Sequence, residues 1–82
     1  MKICIEDYFG NDLLIINYVN TIPTITDNSV KVVDEIANVH GYNVADIEDD
    51  VIRVQCVDVV DCHNTNKKNL NELVVKLNNQ YI

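Results

Sequence analysis

The side chains best suited to chemistry in this 82-residue chain are three cysteines, two histidines and a run of carboxylates. Cys56, Cys62 and His63, with Cys4, are the donor types of a Cys3His zinc site. Their spacing is not that of a zinc knuckle, whose ligands come in closely spaced pairs. Cys56 also falls on the apolar side of an alternating segment, where a thiol acts as a small hydrophobe. Cys62 and His63 are neighbours in sequence, and neighbouring side chains point apart, so they do not read as a catalytic thiolate and its base. His40 sits at the end of an apolar helical stripe and reads as a helix-capping imidazole. The expectation is three free thiols, no metal and no cofactor.

Asp46, Glu48 and Asp50 fall at the first, third and fifth positions of an EF-hand calcium loop. The pattern then fails, because Val51 stands where the loop needs Gly and Val57 where it needs Glu. Two glycines far apart make no phosphate-binding loop. No nucleophile is set beside a base, and nothing in the sequence points to an enzyme.

The carboxylates are informative as a group. The chain carries a net charge of −7. Residues 1–33 contribute −2, residues 34–61 contribute −7 and residues 62–82 contribute +2. In the middle segment Arg53 alone offsets Asp34, Glu35, Asp46, Glu48, Asp49, Asp50, Asp58 and Asp61. Such a segment disfavours nucleic acid, whose binding needs a basic surface, and permits a basic protein partner; the same run of acids also reads as a solvated loop that aids solubility. The expected partner-binding residues are Asp46, Glu48, Asp49, Asp50, Asp58 and Asp61.

The elements that must position these groups follow from hydrophobic spacing. Thirteen Val and ten Ile against five Leu favour sheet. Residues 3–8 and 13–19 read as a hairpin around Gly10-Asn11-Asp12, and residues 51–60 as the strongest strand. Within that strand the apolar phase flips near Cys56-Val57, which fits either a bulge or burial of both faces at that end. Thr26 or Asp27 caps a helix over 28–40 that ends at Gly41. A second helix spans 67–80, with Asn69 and Glu72 resembling a capping box. Residues 42–50 fit either a short strand or a turn. The expected fold is α+β in one domain over 1–82: a small antiparallel sheet of three or four strands with two helices on one face, in ββαβα or ββαββα order.

Leu13-Leu14-Ile15-Ile16 has no polar side, which predicts that both faces of its strand are covered. Two helices cover one sheet face, so self-association, or an equivalent hydrophobic partner contact, is expected through a sheet face that includes Val57 and Val59. No apolar run approaches a membrane span, and Glu6 and Asp7 interrupt the N-terminal apolar stretch, so the chain is expected to be cytoplasmic.

Twelve Asn, many Ile and Asp, and few Ala, Gly and Arg are residues of AT-rich codon usage. A short, acidic α+β chain of this kind resembles, in overall character, the small phage-encoded inhibitors of host defence, anti-CRISPR proteins among them. The resemblance implies a non-enzymatic inhibitor that occludes a basic, nucleic-acid-binding host protein or complex, and it carries over no family residues. The alternatives are a structural or adaptor homodimer and a small Cys/His metal-binding regulator.

Overall fold

The computed structural model describes residues 1–19, 25–58 and 67–81. Within them the order is ββαββα: β1 (Lys2–Glu6), β2 (Asp12–Asn17), α1 (Asp27–Val39), β3 (Tyr42–Glu48), β4 (Val51–Cys56) and α2 (Lys67–Tyr81). One four-stranded sheet runs β2-β1-β4-β3.

The sheet is mixed, not wholly antiparallel. β1 pairs antiparallel with β2, β3 antiparallel with β4, and β1 parallel with β4. Chain direction explains this. Each hairpin reverses the chain once, and α1 carries it from β2 across to β3, which run the same way. A central pair made of one strand from each hairpin is then parallel. Residues 42–50 resolve as β3 and the turn at Asp49-Asp50.

The two central strands build the core. Ile3, Ile5, Ile52 and Val54 alternate along β1 and β4, and each is wholly buried. Both helices pack over that face. α1 contributes Val33 and Ala37, and α2 contributes Leu73, Leu77 and Tyr81. Tyr18 joins them, and its hydroxyl donates to Asn78 Oδ1 at 2.8 Å.

Local chemistry sets the boundaries. β1 stops at Glu6, short of the expected Tyr8, because Asp7 turns the chain. Its carboxylate accepts from the Phe9 and Asn11 backbone N–H groups at 2.9 and 2.8 Å. Gly10 follows at φ +85°, a conformation that side chains rarely adopt. Thr26 caps α1 in a reciprocal box with Ser29. Gly41, at φ +80°, ends that helix as expected. α2 begins at Lys67, so Asn69 lies within its first turn and is not its cap. β4 ends at Cys56, and this ending, not a bulge, accounts for the change of phase at Val57. The register shifts lie elsewhere, between Ile5 and Glu6 on the β1 side and between Val44 and Asp46 in β3.

Candidate functional site

The face of the sheet turned away from the helices is defined by parity. In β1, Lys2, Cys4 and Glu6 alternate with buried Ile3 and Ile5. In β4, Val51, Arg53 and Gln55 alternate with buried Ile52, Val54 and Cys56. The register sets Cys4 beside Arg53, Asp12 beside Glu6 and Asp46 beside Arg53. The result is a charged face, not the apolar one expected from Val and Ile content. Val57 is exposed but follows the end of β4, and Val59 lies outside the described residues.

Arg53 is the hub of this face. Its Nη1 donates to Glu6 Oε2 at 3.2 Å, and its Nε donates to Glu48 Oε1 at 3.2 Å. Asp12 Oδ1 lies 3.9 Å from Nη1. Glu6 is almost fully covered, and Arg53 is the cation it meets there. Glu48 beside Arg53 holds the guanidinium pKa above its ordinary value.

Cys4 is buried beneath the same group. Its thiol donates to Asp12 Oδ1 at 3.2 Å and accepts from Arg53 Nη1 at 3.5 Å. Burial, reinforced by the hydrogen bond to Asp12, pushes the thiol pKa up to about 11. At neutral pH it is a protonated thiol, not a nucleophile. Donor atoms of Cys4, Glu6 and Asp12 lie within 4.8 Å of one another, the spacing of a metal site. The Arg53 guanidinium already reaches all three and supplies the positive charge there.

Of the four Cys/His donors weighed as a zinc set, Cys4 and Cys56 are among the described residues and lie on opposite faces of the sheet. Cys4 faces away from the helices and Cys56 belongs to the core on the other side. Cys62 and His63 lie outside the described residues. Cys56 is disulfide-bonded, which corrects the expectation of three free thiols. Cys4 is the free cysteine among the described residues. His40 is the buried C-cap of α1, with Nδ1 3.6 Å from Glu72 Oε2, and it ties the two helices together.

The six acids expected to bind a partner divide into three groups. Asp46, Glu48, Asp49 and Asp50 gather at the β3 edge and the β3–β4 turn, all exposed. The turn is anchored, because the Lys2 N–H donates to the Asp50 carbonyl at 2.7 Å. Asp58 stands beyond the opposite end of β4, roughly 20 Å away along the strand. Asp61 lies outside the described residues. Within the cluster, Glu48 is held by Arg53, whereas Asp46, Asp49 and Asp50 have no cation partner among the described residues.

Glu6 and Asp12 join this acidic face although the middle-segment charge count did not include them. The period of two along β1 places Glu6 with Cys4, but the pairing of β1 with β4 is a long-range contact that spacing alone does not reveal. With them, six acids share the face and its adjoining turn with Lys2 and Arg53.

No helix among the described residues is long and apolar enough to cross a membrane. No protein-family model, curated protein or solved structure matches this chain.

Proposed function

We propose that this chain is a non-enzymatic protein-binding inhibitor that presents the β3 edge and β3–β4 turn to a basic surface on its partner. The observation that carries the reading is the set Asp46, Asp49 and Asp50. These three exposed carboxylates sit on the β3 edge and its anchored turn, and among the described residues no cation pairs with them. Grouped anions on a rigid edge mimic the charge of a phosphate backbone, and they suit a groove that otherwise binds nucleic acid. Glu48 serves a different purpose in this reading, holding Arg53 in place. Asp58 stands too far off to share the same contact. Inhibition follows from occupancy, steric and electrostatic, without turnover. Such a partner would be a host nucleic-acid-binding protein or complex, as for the phage inhibitors the sequence resembles.

Affinity capture from bacterial lysate tests this, with wild type and the D46N/D49N/D50N variant as parallel baits. Wild type should retain a basic nucleic-acid-binding protein that added duplex DNA releases, and the variant should not. Equal retention by both baits, or release indifferent to DNA, would count against the proposal.

A further inference from the structure

Of the large apolar residues that remain exposed, Tyr8, Phe9, Leu13, Leu14, Ile15 and Val19 all lie in or beside one hairpin, β1–β2. Ile15 is 58% exposed and Val19 73%. β2 is an edge strand. Its apolar run has no polar face, and among the described residues only β1 pairs with it. Residues 13–26 carry no charged side chain. The Lys, Pro and inward-facing charges that protect natural sheet edges are missing from residues 13–19, and the register shift falls at the start of β2, opposite Ile5/Glu6.

We infer that a second copy of this chain pairs with β2, antiparallel and centred on Ile15, to make a continuous eight-stranded sheet. The Tyr18 N–H donates to the Met1 carbonyl, which fixes the phase of the β1–β2 ladder. Leu14, Ile16 and Tyr18 therefore direct their backbone groups to β1, and Ile15 and Asn17 direct theirs outward. Centring on Ile15 pairs those outward groups with their own copy. Leu14 then lies opposite Ile16 of the second copy on the helix side, and Ile15 lies opposite itself on the other. Asp12 falls opposite Tyr18, so no like charges meet. Exposed Val19 comes alongside the hairpin tip that carries Tyr8 and Phe9.

Charge selects this edge for self-pairing. A chain of net charge −7 resists its own copy wherever acids approach. The strand order sets the acidic β3 at the far side of the sheet. In the paired sheet the two β3 strands are seven spacings apart, roughly 34 Å. That is about four screening lengths at physiological salt, so their repulsion is small. The inference is independent of what the acidic edge binds, and it leaves both acidic edges open.

Sedimentation equilibrium from micromolar to sub-millimolar protein, with hydrogen exchange on the same samples, tests it. Wild type should be a dimer at high concentration. The Ile15 and Asn17 amides should be protected there and lose protection on dilution. Ile15→Lys should weaken dimerisation by at least about tenfold while its circular dichroism stays that of wild type, and Val75→Lys on α2 should not weaken it. If Ile15→Lys does not fold, the wild-type exchange measurement decides alone. A monomer at every concentration with fast exchange at Ile15 and Asn17, or a dimer broken by Val75→Lys and not by Ile15→Lys, would overturn the inference.

Discussion

Raising the pH should unfold this protein earlier than its exposed charges suggest, and the loss can be worked from two buried groups. Burial, with the Asp12 hydrogen bond, raises the Cys4 thiol from 9.0 to about 11. Burial, with the neighbouring Tyr81, raises the Tyr18 hydroxyl from 10.0 to about 12. Both groups are neutral when protonated and both have folded pKa values above the unfolded ones. Their contribution is therefore complete below the unfolded value and is lost as pH rises through the folded one. The rise to about 11 at Cys4 and that to about 12 at Tyr18 each correspond to at most about 3 kcal/mol, less what solvent screening removes. By pH 11 most of the Cys4 share and about half of the Tyr18 share are gone, at most about 4 kcal/mol together. A chain of this length has a total stability on the order of 4–12 kcal/mol, so alkaline unfolding should set in near pH 11. Tyr42 and Tyr81, also raised by burial, act in the same direction. The assay is urea unfolding from pH 8 to 12. Stability should fall from about pH 9, steepening above about pH 10. Tyr18→Phe should remove part of the steeper limb, and Cys4→Ala the earlier one. A wild-type profile flat from pH 9 to pH 11, or the same slopes in both variants, would refute the reasoning.

Three further outcomes follow from the packing. Thr26→Ala should cost about 1 kcal/mol by removing the α1 cap, and adding Ser29→Ala should cost less than the two single changes summed, because the two side chains satisfy each other; thermal melts of the three variants check it. Leu77→Ala, at a wholly buried site, should cost roughly 2–5 kcal/mol, a large share of the total, and lower the melting temperature clearly, as thermal melts followed by circular dichroism would show. Thiol titration in denaturant without reductant should find fewer than three thiols per chain, because Cys56 is already bonded.

Much of the fold is legible in the sequence because its signals are local. The alternation Ile52-Arg53-Val54 marks β4, Thr26 and Gly41 bracket α1, and Leu70, Leu73, Val74 and Leu77 mark the buried stripe of α2. What spacing does not carry is which strands are neighbours. The parallel pairing of β1 with β4 joins residues about fifty positions apart, and it is this pairing that sets Cys4 and Glu6 beside Arg53. The same gap explains the reading of Leu13 to Ile16. An unbroken apolar run predicts coverage on both faces, yet β2 lies at the sheet edge and stays largely exposed. The acidic segment is legible as charge, but the register sets Asp46, not Glu48, opposite Arg53, and only the side-chain contact of Arg53 Nε with Glu48 separates Glu48 from Asp46, Asp49 and Asp50.

The acidic edge as a binding surface is tested most directly by the association rate of the captured partner across a salt series, for wild type and for D46N/D49N/D50N. Three exposed contacts at about 0.5 kcal/mol each amount to about 1.5 kcal/mol, near tenfold in affinity. Complementary charge acts chiefly on encounter, so the wild-type rate should fall steeply with salt and the variant should start about tenfold lower with a shallower slope. Both should keep the same fold by circular dichroism. Equal association rates for the two proteins, flat across salt, would contradict the account and leave the three carboxylates as a solvated turn.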